Sequence, residues 1–162
     1  MKTIVIALAG SLAFQIHASS VDGWTAAAPR EEIRPQFQHT ESGGKSGHGA
    51  LTIRADEREG LHGWWQKTFT VTAGQHYRFS AWRRAKNVAV PRRSVLARVL
   101  WRDEAGKEVQ RREGVVTNYS RGVVASAEPE YPRESSAGID GWVEMSGVYE
   151  ALPGATRAVR RP

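Results

Sequence analysis

The side chains best suited to chemistry in this chain are tryptophans and arginines on two neighbouring predicted strands. The segment GLHGWWQKTFTVTAGQHYRFSAWRR, residues 60–84, alternates with a period of two on both sides of Ala73-Gly74. We therefore predict a β-hairpin. Its outward face carries Trp64, Gln66, Thr68 and Thr70 from the first strand and Arg78, Ser80, Trp82 and Arg84 from the second. A flat aromatic ring flanked by guanidinium and hydroxyl groups is suited to binding a sugar, whose C–H face stacks on the ring.

The opposite face of the same two strands is expected to build a core. The aromatic residues on it are Trp65, Phe69, Tyr77 and Phe79. We assign Trp101 to the core as well, because it alternates with apolar neighbours, and we place Trp142 at one end of the fold.

No catalytic or metal-binding constellation is evident. The chain has no cysteine, which excludes thiolate metal sites, disulfides and cysteine nucleophiles. Its histidines are not at metal-ligand spacing, and the sequence contains neither HExxH nor GxSxG. The glycine-rich loop at residues 43–49 lacks the residue order of a phosphate-binding loop. We therefore expect no enzyme activity and no cofactor.

Positive charge is concentrated in one stretch of a chain whose formal net charge is +6. Residues 83–112 include ten Lys or Arg and three Asp or Glu. Two interpretations stay open: long side chains lying over a sheet, or a surface for a polyanion, for which a sulfated or uronate-rich glycan is the natural choice. Nucleic acid is not expected, since no recognition signature is present. The candidate ligand-binding residues are Trp64, Arg78, Trp82, Arg84 and Arg98.

The first 18 residues have the pattern of a secretory signal peptide. Lys2 precedes an apolar stretch from Thr3 to Ile16, and Ala18 is a small residue suited to cleavage. The stretch is too short for a membrane anchor. A first core strand or helix is the alternative interpretation. We expect a secreted or periplasmic monomer without a membrane anchor.

Residues 19–162 are expected to form a single all-β domain, an antiparallel β-sandwich. The 16 glycines and seven prolines separate short apolar stretches, and helical periodicity is nearly absent. The predicted strands are 33–39, 50–55, 64–72, 76–86, 95–103, 108–112, 115–119, 142–151 and 155–160. The last strand stops at Arg160-Arg161-Pro162, so we expect it to be incomplete; a naturally short edge strand is the alternative.

Three segments resemble the jelly-roll carbohydrate-binding modules of the CenC-like type, which are galactose-binding-like sandwiches. The segments are SGGKSGHGALTIRA, TFTVTAGQHYRFSAWRR and GWVEMSGVYEALPGAT. The resemblance implies a non-catalytic module that binds polysaccharide. Such modules commonly hold a structural calcium ion, for which Asp22 or Asp140 could serve.

Longer segments resemble the N-terminal β-sandwich that precedes the hydrolase domain in exported carbon–nitrogen hydrolases (nitrilase superfamily) of planctomycete-type bacteria. They are REGLHGWWQKTFTVTAGQHYRFSAWRR, PRRSVLARVLWRDEAGK and EPEYP with DGWVEMSGVYEA. The catalytic domain of that family uses a Glu-Lys-Cys triad, and none of it can be carried over to this chain, which has no cysteine. This resemblance implies an alternative function, a ligand-free accessory domain of a truncated hydrolase.

Overall fold

The computed structural model describes residues 20–47, 49–110 and 125–161, and strands dominate this part of the chain. Every strand pairing in it is antiparallel, which confirms the predicted all-β class. The strands are β1 (Ser20–Val21), β2 (Trp24–Ala27), β3 (Gln36–Thr40), β4 (Ala50–Arg54), β5 (Trp64–Thr70), β6 (His76–Arg83), β7 (Arg98–Arg102), β8 (Arg133–Glu134), β9 (Val143–Glu150) and β10 (Arg157–Arg161). A 3-10 turn spans Glu31–Ile33, and a short helix, α1, spans Pro91–Ser94.

The described strands form three sheets. The largest has five strands in the order β1-β2-β5-β10-β7, the second has three in the order β6-β9-β8, and β3 pairs with β4. The strand β10 pairs with β5 on one side and β7 on the other. The alternative of a short edge strand is therefore wrong, because β10 lies between β5 and β7 and not at the edge of the sheet.

The two strands of the predicted hairpin are present, but they belong to different sheets. β5 pairs with β2 and β10, whereas β6 pairs with β9. The reason lies in the turn between them. The amide of Val71 donates to the Thr156 carbonyl at 2.9 Å, and the amide of Gly74 donates to the Ala151 carbonyl at 2.8 Å. The turn is thus bonded to the chain between β9 and β10, and it leads from one sheet to the other.

Side chains from the five-stranded and three-stranded sheets form one apolar core. Trp101 of β7 is 3% exposed and Met145 of β9 is 2% exposed. Phe79 of β6 and Ala158 of β10 are buried in the same cluster. Since Trp101 and Phe79 come from different sheets, the core joins the two, and both residues occupy the predicted environment.

The aromatic residues of β5 differ in burial. Trp65 is buried as predicted and makes an edge-to-face contact with Phe37, with 5.4 Å between ring centroids. The core assignment of Phe69 is wrong, because this residue is 41% exposed. A polar side chain lies beside it: Lys67 Nζ is 5.6 Å from the ring centroid and donates to the Asp22 carbonyl at 2.6 Å.

The buried residues identify the outward face of each sheet, since side chains alternate along a strand. Ala158 is buried, so its neighbours in β10 point to the opposite face of the five-stranded sheet. Those neighbours are Arg157, Val159 and Arg161. Phe79 is buried, so its neighbours in β6 point to the opposite face of the three-stranded sheet. We call these two surfaces the outer faces of the sheets.

Several predicted elements differ in extent or lie outside the described residues. The strands β1, β2 and β8 have no counterpart among the predicted strands. The described part of the predicted strand 108–112, residues 108–110, forms isolated bridges rather than a strand, for example Glu108 with Arg102. The predicted strand 115–119 and signal peptide 1–18 lie outside the described residues. Over 20–47, 49–110 and 125–161, no helix has the length and apolar character needed to cross a membrane.

Candidate functional site

The candidate ligand-binding residues lie on two surfaces rather than one. Trp64 of β5 and Arg98 of β7 belong to the outer face of the five-stranded sheet. Arg78 and Trp82 of β6 belong to the outer face of the three-stranded sheet. Arg84 lies one residue beyond the end of β6. The single outward face expected from a hairpin is wrong, because β5 and β6 are in different sheets.

Trp82 presents an accessible aromatic ring on the outer face of the three-stranded sheet. It is 44% exposed and lies directly opposite Glu144 of β9. The Nζ atom of Lys45 lies 5.0 Å from the ring centroid, which is a cation–π distance. Lys45 also forms an ion pair with Asp140. We call this group the Trp82 surface; its members are Lys45, Ser80, Trp82, Asp140 and Glu144.

Groups that donate and groups that accept hydrogen bonds adjoin the Trp82 ring. The Ser80 hydroxyl donates to Glu144 Oε1 at 3.2 Å. The hydrogen bond from Lys45, with a second from the amide of Trp142, holds the pKa of Asp140 below its usual value. Asp140 is therefore a carboxylate at neutral pH. A sugar hydroxyl both donates and accepts hydrogen bonds. The Lys45 ammonium can donate to it, and the carboxylates of Asp140 and Glu144 can accept from it.

The arginines expected around Trp82 do not adjoin its ring. Arg78 is exposed and is four residues from Trp82 along β6, a separation of about 13 Å. The guanidinium of Arg84 stacks over Trp142 instead, at 4.8 Å from the ring centroid. Lys45, which is remote in sequence, supplies the positive charge at the Trp82 ring.

Trp64 is covered by the chain's own side chains. Its indole N–H donates to Gln66 Oε1 at 3.0 Å, and the Arg161 guanidinium lies 4.7 Å from its ring centroid. The His62 ring approaches at 5.4 Å. Trp64 is half-buried by these contacts. Its evident role is to support Arg161 rather than to present a free stacking platform.

A groove of about 350 Å³ lies on the outer face of the five-stranded sheet. Its lining includes Gln66, Thr68, Arg102, Arg157 and Arg161. In the pairing of β10 with β7, Arg98 lies opposite Arg161 at one end, and Arg102 lies opposite Arg157 at the other. Arg102, Arg157 and Arg161 line the cavity itself, whereas Arg98 adjoins it through its position opposite Arg161. We call the four arginines together with Gln66 and Thr68 the arginine groove.

Arg161 is the arginine of this groove whose environment is least favourable to a charge. Burial lowers its pKa, the positive charges of Arg98 and Arg102 lower it further, and Glu108 has the opposite effect. Arginine nevertheless stays protonated at neutral pH. Its Nε atom is covered and has no hydrogen-bond partner among the described residues. A bound anion would offset the repulsion between these charges.

The chain matches no protein-family model, no curated protein and no solved structure. The case for a function therefore rests on the two surfaces, and the resemblance to carbohydrate-binding modules stays a prediction.

The basic stretch at residues 83–112 is not one continuous surface. Arg83 is 8% exposed, and its Nη2 lies 2.8 Å from Glu134 Oε1, so its charge is directed inward. Arg92 approaches the other oxygen of that carboxylate at 3.4 Å. The members of the stretch that lie in the arginine groove are Arg98 and Arg102.

The two carboxylates considered for calcium each lie beside an ammonium group. Asp140 pairs with Lys45, and Asp22 Oδ2 lies 3.6 Å from Lys67 Nζ. In the described ranges, no group of three or more His, Asp or Glu side chains is placed to hold a metal ion. We therefore describe no metal centre in this part of the chain.

Sequence reasoning missed several members of both surfaces. Lys45 reaches Trp82 from a loop far away in sequence, and no local pattern predicts that contact. Arg157 and Arg161 did carry a signal, since residues four apart in a strand share a face. Their pairing with β7, which completes the groove, depends on long-range strand order and has no signal in the sequence.

Proposed function

We propose that this protein is a secreted, non-catalytic module that binds polysaccharide, with a β-sandwich of the jelly-roll, galactose-binding-like type. The observation that carries the proposal is Trp82, an indole ring that is 44% exposed on an outer sheet face. Lys45 lies over the ring and Glu144 lies directly opposite Trp82 on β9, so charged groups adjoin the exposed indole.

The Trp82 surface supplies the two kinds of contact that a sugar needs. Lys45 Nζ lies over part of the Trp82 ring, and the exposed remainder of the ring, which is 44% exposed as a residue, stacks on the C–H face of the sugar. Glu144 and Asp140 accept hydrogen bonds from its hydroxyl groups, and Lys45 donates to them. We assign this surface binding contacts and no catalytic step.

The contacts between sheets support the sandwich architecture. The Arg160 guanidinium of β10 lies 4.4 Å from the Phe79 ring centroid, and its Nη2 donates to the Ser80 carbonyl of β6 at 2.8 Å. These contacts connect the inner face of the five-stranded sheet to the neighbouring sheet, beside the shared apolar core.

The proposal is tested by electrophoresis of the purified protein in native gels that contain single neutral polysaccharides, such as xylan or a soluble β-glucan. We expect at least one of them to retard the wild type. Loss of the stacking contact in Trp82→Ala should weaken the retardation roughly tenfold. Phe69→Ala is the matched control, because it removes an aromatic ring of similar exposure, 41%, from another part of the molecule.

Equal retardation of Trp82→Ala and Phe69→Ala would contradict the assignment of the Trp82 surface. If no neutral polysaccharide retards the wild type, the Trp82 surface does not bind polysaccharide as proposed. The alternative of a ligand-free accessory domain is then favoured.

A further inference from the structure

The arginine groove contains two like-charge pairs across neighbouring strands. In the register of β10 and β7, Arg157 is directly opposite Arg102, and Arg161 is directly opposite Arg98. Like charges at such positions repel each other, and they destabilise a sheet unless an opposite charge lies close by. Two such pairs on one face need a compensating group.

The described chain supplies little of that compensation. Arg102 forms an ion pair with Glu108, with 3.1 Å between Nη2 and Oε1. Within the described residues, no other ion pair involves any of the four arginines. The side chain of Glu108 is 48% exposed, so solvent weakens this interaction. The guanidinium of Arg161 is held over Trp64, its covered Nε has no hydrogen-bond partner among the described residues, and Glu108 offsets part of its repulsion from Arg98 and Arg102.

The spacing of the two pairs indicates a ligand with more than one negative charge. Arg157 and Arg161 are four residues apart in one strand, so their pairs are separated by about 13 Å. Val159 lies between them on the same face and is opposite Leu100 of β7. A single small anion cannot contact both arginine pairs, whereas a chain with repeated anionic groups can follow the groove.

The neighbouring side chains favour a glycan over a nucleic acid as that chain. Gln66 and Thr68 line the groove on the β5 side and offer amide and hydroxyl groups for sugar hydroxyls. Proteins that bind single-stranded nucleic acid without sequence preference combine a basic groove with exposed aromatic rings on which bases stack. The aromatic ring beside the Arg161–Arg98 pair is that of Trp64, and Arg161 already covers it.

The geometry points to a second binding site, the arginine groove, that takes an acidic polysaccharide through its sulfate or carboxylate groups. Guanidinium groups bind such groups in a bidentate manner, and two arginine pairs hold two of them at once. The inference rests on the proposed function in taking the ligand to be a glycan, but it concerns a different sheet face from the Trp82 surface.

The test is salt elution from immobilised heparin and from immobilised polygalacturonate, with immobilised neutral dextran as the reference matrix. We expect the wild type to be retained on at least one acidic matrix and not on dextran. The double variant Arg157→Gln/Arg161→Gln should bind the acidic glycan at least about tenfold more weakly and elute at lower salt. The matched control is Arg30→Gln/Arg54→Gln, which removes two charges from exposed positions outside both surfaces and should elute like the wild type.

A third variant, Arg98→Gln, keeps the test informative if the double variant does not fold. It removes one groove charge without touching Trp64, and it should also lower the eluting salt concentration. Equal elution of Arg98→Gln and the control pair would overturn the proposal. The proposal would also be overturned if free inorganic sulfate, at the concentration of the sulfate groups on the heparin, displaced all of the protein. The site would then bind single anions rather than a chain of them.

Two further arms separate this inference from its competitors. Retention on immobilised DNA to a higher salt concentration than on either acidic glycan would overturn the choice of a glycan. Trp82→Ala should weaken neutral-polysaccharide binding and leave the salt concentration that elutes the protein from heparin unchanged. If the wild type binds no neutral glycan but shows groove-dependent retention on heparin, the Trp82 assignment fails and the groove assignment stands.

Discussion

Arg161 and Arg98 lie directly opposite each other on adjacent antiparallel strands, and the guanidinium of Arg161 also covers the ring of Trp64. The charge of Arg98 repels that of Arg161, whereas the Trp64 ring attracts it. A fold selected for stability alone gains nothing from the repulsive pair. A fold that binds an anion gains a cation that is held in place before the ligand arrives.

The first prediction concerns the stability of Arg98→Gln. Removal of one like charge should raise the free energy of unfolding by about 0.2–1 kcal/mol, provided that no ligand is present. The measurement is urea unfolding at low ionic strength, with Arg54→Gln as the control. Salt should narrow the difference, because it screens the repulsion in the wild type. A destabilised Arg98→Gln would show that the cross-strand pair is not repulsive.

The second prediction concerns Trp64 as a positioning residue. Trp64→Ala removes the ring that holds Arg161, so it should lower the salt concentration that elutes the protein from heparin. Trp64→Phe restores a ring and should recover most of that loss. The cation–π interaction of Arg161 with phenylalanine should be weaker than that with tryptophan by about 1 kcal/mol or less. Binding to neutral polysaccharide should be the same for both variants. A phenylalanine variant no better than the alanine variant would contradict a role through the ring.

The third prediction concerns the pH dependence of the Lys45–Asp140 contact beside Trp82. The pKa of Asp140 is lowered in the folded state, so its stabilising contribution is complete above the ordinary value of 3.8 and is lost as the pH falls through the lower folded value. Asp140→Asn should therefore show a smaller loss of stability on acidification below pH 3.8 than the wild type. Thermal unfolding monitored at a series of pH values measures this. Parallel curves for the two proteins would contradict the contact.

The sequence predicted local alternation more reliably than sheet membership. The contrast between buried Phe79 and exposed Trp82 follows from a period of two, and the structure agrees with it. Alternation also put Phe69 in the core, but burial depends on what covers a strand, and Lys67 lies there instead of an apolar side chain. The alternation of residues along a strand carries no information about which other element covers the face of that strand.

The same reasoning explains why the candidate site was only partly predictable. The short Ala73-Gly74 turn is typical of a hairpin, and a hairpin predicts that Trp64 and Trp82 share one surface. The amides of that turn instead bond to residues that lie about 80 positions further along the chain, such as Ala151 and Thr156. Both proposed binding surfaces depend on contacts between residues far apart in sequence, and the contact of Lys45 with Trp82 is one of them.

The measurement that tests the central claim most directly is a titration of isotope-labelled protein with polysaccharide, followed through the tryptophan indole N–H signals by NMR. A neutral polysaccharide should shift the Trp82 signal, while the buried Trp65 and Trp101, which are 2% and 3% exposed, remain unchanged. An acidic polysaccharide should shift the signal of Trp64 through Arg161. If no polysaccharide of either kind shifts Trp82 or Trp64, the account of this protein as a glycan-binding module is contradicted.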